Sequence, residues 1–184
     1  MNTLKSTRPA KTSIGYLPLL KQTPSFRNLW YGQVISELGN WVNSSALYAL
    51  ILQLTGYGMA MAAAMMAKLL PMVIISPFAG VVIDRMDRRT VLIASDILRC
   101  FTVLCFLIVE SREDLWLVYA LTLFEVALTG FFEPARSAIL PSIVKKNHLV
   151  TANAISGATW SIMLTLGAAL GGFVVSFFGI KTAF

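Results

Sequence analysis

Five charged side chains sit inside long apolar runs: Glu37, Lys68, Asp96, Arg99 and Glu125. At the centre of a membrane helix such a group costs about 2.5–3.5 kcal/mol, so it is expected to pair, to staple helices together, or to handle ions and protons. Glu37 and Glu125 fall near the middle of their runs, and Lys68 lies at similar depth in the run between them. That common depth predicts a Glu37–Lys68 pair within a salt bridge or one intervening water. Glu125 has no basic neighbour within its own run and is the freer of the two carboxylates to carry a proton. Asp96 and Arg99, three residues apart on one helix, are expected to support the charged hinge beside them. Hydrolytic or redox chemistry has no such foundation. The lone histidine, His148, lies in a loop, and neither an H-E-x-x-H pair nor a G-x-S-x-G elbow occurs. Cys100 and Cys105 are splayed around one helix, which places their Cα atoms too far apart for a disulfide. The reading is of a protein that is not an enzyme, with no catalytic residue, metal ligand or cofactor.

These charges stand out because the rest of the chain is so apolar. Hydrophobic residues make up 57% of it and charged ones 13%, with a mean hydropathy of +0.72, whereas soluble domains carry about 25% charge. The fold class expected is an all-α polytopic membrane protein. The formal charge of +6 does not point to nucleic acid, since the basic residues lie between hydrophobic runs and form no continuous face. Spans of roughly 20 residues cross a bilayer, and five are expected, over about 28–55, 59–83, 90–110, 115–137 and 152–178. Phe26, Arg27, Trp30 and Tyr31 form an interfacial anchor at the first span, and Gly56-Tyr57-Gly58 makes a tight turn after it. Pro71 and Pro77 are expected to bend the second span. Residues 1–25 form a basic tail without a signal-peptide core, and the chain stops where a sixth run would begin.

Between the second and third spans the loop is too short for anything but an antiparallel return. It carries Gly80, Asp84, Arg85, Asp87, Arg88 and Arg89. Together with Lys5, Arg8, Lys11, Lys21, Arg27, Arg136, Lys145 and Lys146 it loads one membrane face with positive charge, while the other holds Arg112 and Lys181. Basic loops stay cytoplasmic, which puts the N terminus and the hinge inside and, with five spans, the C terminus outside. In the fifth span, Gly167-x-x-x-Gly171 followed by Gly172 offers a small-residue face for close helix packing.

The pattern Gly80-x-x-x-Asp84-Arg85-x-Asp87-Arg88-Arg89 resembles the signature loop of the major facilitator superfamily, with Asp87 at the usual second glycine. That variant resembles the drug:proton antiporter branch containing macrolide-efflux and enterobactin-export proteins. So do Leu20-Lys21 with Phe26-Arg27, and the stretch Phe132-Glu133-Pro134-Ala135-Arg136 that marks Glu133 and Arg136 as supporting residues. The run Gly167-Ala168-Ala169-Leu170-Gly171-Gly172 is similar to the antiporter motif of helix five, with alanine at the usual proline. The resemblance implies twelve helices in two six-helix halves, each built from two inverted repeats, of which this chain would supply the N-terminal portion. It also implies that helices one and four line a central cavity, bringing Glu37 and Glu125 there as proton-coupling candidates with Lys68. The hinge would act as a gate, Asp84 and Arg88 meeting a helix end of the C-terminal half.

On this reading the chain is part of a secondary transporter of the bacterial inner membrane, exporting a small amphiphilic compound such as a drug or siderophore in exchange for protons. Its partners are the bilayer, the substrate, protons and the other half of the fold. The alternative is a truncated, non-transporting membrane protein that only scaffolds.

Overall fold

The computed structural model describes residues 15–83 and 85–184, with the side chains at 70–73, 76–78, 81 and 82 outside the description. The first fourteen residues of the expected tail, Asp84 of the hinge, and the side chains of Pro71 and Pro77 therefore lie outside the described residues. Among the described residues there is no strand. The helices are α1 (Tyr16–Gln22), α2 (Pro24–Thr55), α3 (Gly58–Ile83), α4 (Arg88–Cys105), α5 (Leu115–Ile143), α6 (Leu149–Phe178) and α7 (Ile180–Ala183).

Local sequence sets most of the boundaries. Pro24 opens α2, where its missing N–H is no loss, and Gly56 closes it in the left-handed region at φ 72°. Asp87 is the N-cap of α4, its carboxylate accepting from the Thr90 amide. A 3₁₀ turn, Phe106–Ile108, ends that segment before the loop to α5. The helix that carries the expected fourth span, 115–137, runs on through Pro134 and Pro141 to Ile143. The ring of Pro134 crowds the carbonyl four residues back, which belongs to Gly130, and Arg88 donates to the Ala138 carbonyl in the turn leading to Pro141 (2.7 Å).

Three helical stretches among the described residues are long and apolar enough to cross a membrane: Arg88–Ile108, Arg112–Ile143 and Lys146–Phe178, with Gly58–Leu69 a shorter apolar stretch. The α2 helix has 32 residues, ample for a crossing, but a polar stripe runs down it. Large apolar side chains such as Phe101, Ile108, Trp116 and Phe177 point outward from the bundle. In water so much exposed apolar surface would drive aggregation, and in a bilayer it is solvated.

Packing follows one pattern twice. The α5 helix takes α3 along one side and α4 along another, and α2 takes α6 and α7 in the same way. The α2–α6 contact is the tightest, because a Cβ on Gly167 would lie 2.5 Å from the Trp41 Cβ and one on Gly171 2.7 Å from the Ser45 Cβ. Gly172, expected on the same face, meets nothing within 4 Å. At one position per residue, 171 and 172 are about 100° apart on a helix, so only one of them can face α2. On the other pair Gly130 of α5 admits Ile75 of α3. Part of the expected tail also packs: Leu19 of α1 is buried with Phe26, Leu140, Val144, Ala152 and Ile155.

Between α2 and α4 the bundle is open. Two cavities of about 480 and 500 Å³ lie along this gap and share Gly32 and Asp96, forming one trench, and Ala183 and Phe184 line the end away from the hinge.

Candidate functional site

The functional side chains hang on the polar stripe of α2: Gln33, Ser36, Glu37, Asn40, Asn43 and Ser44 recur at three- and four-residue spacing. They fall into two clusters at different depths.

In the outer cluster Glu125 of α5 is buried, with 2% exposure, and its Oε1 accepts from the Asn43 side-chain amide at 2.9 Å. Its Oε2 has no hydrogen-bond partner, nor has the Oδ1 of Asn43. Beside them Lys68 of α3 donates to the Ser44 hydroxyl at 2.8 Å, and its ammonium lies 5.8 Å from the centre of the Tyr48 ring. Ser44 in turn donates to the Asn40 carbonyl. The carboxylate whose field acts on Lys68 is Glu125. The expected Glu37–Lys68 ion pair does not form: three ion pairs occur among the described residues and neither group is in them. Lys68 binds Ser44 instead, about two helical turns along α2 from Glu37.

The inner cluster holds Glu37. It is 9% exposed and shares its surroundings with Glu133, Arg99 and Arg136. Asp96 and Arg99 do pair, at 3.6 Å, and both engage Ser36, which donates to Asp96 at 2.9 Å and accepts from Arg99 at 3.3 Å. The Arg99 guanidinium also lies 5.9 Å from the centre of the Phe132 ring. Glu133 and Arg136 pair at 2.9 Å, and Arg136 donates to Gln33, which donates to the Ser156 carbonyl of α6 at 3.1 Å. This network ties α2, α4, α5 and α6 together just inside the hinge.

At the hinge, Arg88 is engaged with Ala138, while Arg85 and Arg89 are exposed and Gly80 has open space around it. The Thr90 hydroxyl, then its amide, then the Arg89 amide donate to the Asp87 carboxylate and, with the Arg89 charge, hold it below the usual carboxylate range. So the residue at the signature's second glycine is a helix cap. At the opposite end Arg112 donates to the Leu54 and Thr55 carbonyls at the C terminus of α2. Lys181 pairs with Glu110 at 2.9 Å. Asp114 accepts the amides of Glu110 and Ser111 and the Ser111 hydroxyl, and these hold its carboxyl low as well. Among the described residues no group of His, Cys, Asp and Glu side chains is arranged to hold a metal.

Sequence reasoning picked out the charges and missed the neutral partners Asn43, Ser44, Ser36 and Gln33. The signal was present in the 3.6-residue spacing of polar residues through an apolar run.

The chain matches the transmembrane secretion effector family over residues 13–184. An uncharacterised major-facilitator-type transporter of Bacillus subtilis, YfiS, is 30% identical over 91% of this chain and 40% of its own length. Macrolide efflux protein A of Streptococcus pyogenes is 25% identical over 82% of this chain and 38% of its own. The putative bacilysin exporter BacE of Bacillus subtilis is 29% identical over 81% of this chain and 37% of its own. The chain thus spans about two fifths of the length of these relatives, and no solved structure matches it. With its helical bundle, signature hinge and membrane-long apolar helices, this chain belongs to the transmembrane secretion effector family of major facilitator transporters.

Proposed function

We propose that these residues form the N-terminal portion of a proton-driven secondary exporter that moves a small amphiphilic compound out of a bacterial cell. The observation that carries the reading is Glu125: a buried carboxyl with one oxygen on Asn43 and the other free. A nearly buried carboxyl at the wall of a cavity, left with an open acceptor, is suited to take up and release a proton, and in a membrane interior such a group is a functional site by default. The names of the relatives, a macrolide efflux protein and a putative bacilysin exporter, support an outward direction and an amphiphilic cargo.

On this reading α2 to α6 are five spans, with the N terminus and the hinge cytoplasmic as the distribution of Lys and Arg predicts. The trench between α2 and α4 receives the helix that α7 begins, since α7 sits at its head and since α4 on α5 is the counterpart of α7 on α2. Asp84 and Arg88 then gate the cavity against the second half, Arg88 doing so from its anchor on α5. Glu37, held among two arginines and Glu133, serves binding or structure more than proton transfer.

The test is export into inverted membrane vesicles under an imposed pH gradient, in a full-length transporter carrying these residues. Glu125→Gln keeps size and hydrogen bonding and is expected to abolish gradient-driven export while leaving substrate binding measurable; Glu37→Gln is expected to weaken binding. Undiminished export by Glu125→Gln would assign the proton elsewhere.

A further inference from the structure

Lys68 has three N–H donors and commits one of them to Ser44. One residue back on α2, Asn43 holds Glu125 by a single oxygen and leaves Oε2 bare. A flexible ammonium and an unsatisfied carboxylate oxygen thus hang from consecutive residues of one helix without forming an ion pair, and Glu125 is the carboxylate whose charge acts on Lys68. The four-carbon stem of lysine lets its ammonium swing between acceptors a few ångströms apart without any backbone shift.

We propose that Lys68 is a displaceable internal counter-cation for Glu125, resting on Ser44 while Glu125 holds a proton and moving onto Oε2 when that proton leaves. This rests on the reading of Glu125 as the proton carrier and adds what makes its ionised form tolerable. A bare carboxylate at this depth is costly, and an ammonium brought into contact offsets much of that cost. Lys68 keeps its own proton throughout; the proton released from Oε2 passes to water in the cavity that Asn43 and Glu125 line, and is taken from water there on the return. Each transport cycle would then move the lysine once in each direction, which makes it a positioning residue.

The other groups around Glu125 do not replace it. From α2, Tyr48 faces the same site; from α4, Asp96 and Arg99 line the same cavity but are tied to each other and to Ser36. The α6 helix contains no titratable side chain, and the Arg112–Asp114 turn is about three helical turns away along α5.

The experiment follows the carboxyl stretch of Glu125 by infrared difference spectroscopy of the purified protein in lipid nanodiscs, the band being identified by its loss in Glu125→Gln. Lys68→Met removes the cation, so the pH at which the band disappears is expected to move up by about one unit or more. Ser44→Ala removes the resting place and keeps the cation, so the midpoint is expected to move down; Lys68→Arg is expected to restore it toward wild type. A midpoint unchanged in Lys68→Met, or displaced in the same direction by both variants, would overturn the proposal while leaving Glu125 as the carrier. The absence of any titrating Glu125 band would overturn the carrier assignment and this proposal with it. Opposed shifts alongside export that ignores the pH gradient would sustain the coupling of the two residues and reject only the proton-driven reading.

Discussion

Gly167 of α6 and Trp41 of α2 approach so closely that a methyl group on the glycine would stand 2.5 Å from the Trp41 Cβ, with the Leu38 carbonyl 3.3 Å away. Neither obstacle is the tip of a flexible side chain, so the helices themselves would have to separate. Gly171 repeats the contact one turn on, against Ser45 and the Val42 Cα. Overpacking of this kind costs about 1–3 kcal/mol, against a gain of about 1 kcal/mol in helix propensity on replacing glycine by alanine. Gly167→Ala and Gly171→Ala are each expected to lower thermal stability in detergent, and Gly172→Ala, which meets open space, to be neutral or slightly stabilising. Equal losses at all three positions would mean that helix flexibility and not the α2–α6 contact is what these glycines provide.

The cap at the hinge titrates. The Thr90 hydroxyl and amide donate to Asp87, and its carboxyl is held below the range of an unfolded aspartate, near 3.9. A depressed native value means that its stabilising contribution is fully present above the unfolded value and is lost as pH falls through the native one. The Thr90 amide resonance is therefore expected to shift with a midpoint below 3.9 in the wild-type protein. In Asp87→Asn, where the cap survives without an ionisable group, it is expected to be flat across the same window. A wild-type midpoint above 3.9 would show that the hydrogen bonds to Thr90 do not persist in solution.

Both the legibility of this chain and its limits trace mostly to one physical fact, that charge in an apolar run is conspicuous and neutral polarity is not. Glu125, Lys68 and the Asp96–Arg99 pair could be picked out because each violates its surroundings, and Asp96 with Arg99 lies on one helix, where three-residue spacing fixes the geometry. No direct Glu37–Lys68 ion pair forms, because similar depth counted along two separate runs does not fix how far one helix is shifted along the other. Ser44, about two turns along the same face of α2 from Glu37, takes the Lys68 ammonium instead. The continuation of α5 from 138 to 143 was hidden for a different reason. Proline disfavours helix in isolation, yet α5 runs through both Pro134 and Pro141 to Ile143.

Arg112 bears on both orientation and stability. It is one of two basic residues on the face expected to be external, and both are spoken for: Arg112 caps the last carbonyls of α2 and Lys181 pairs with Glu110. A cation at a helix C terminus interacts favourably with the dipole and fills acceptors that the helix cannot, worth about 0.3–1 kcal/mol at an exposed site. Both cations at this end of the bundle thus have a structural use, which is compatible with the expected topology in which the basic loops at the other end are cytoplasmic. Reporter fusions after Val144 are expected to be cytoplasmic and those inserted at Arg112 external. Arg112→Gln is expected to leave that pattern unchanged while fraying the end of α2, seen as faster amide exchange at Leu54 and Thr55. A reversed reporter pattern in the wild-type protein would overturn the orientation, and unaltered exchange in Arg112→Gln would remove the residue from the cap.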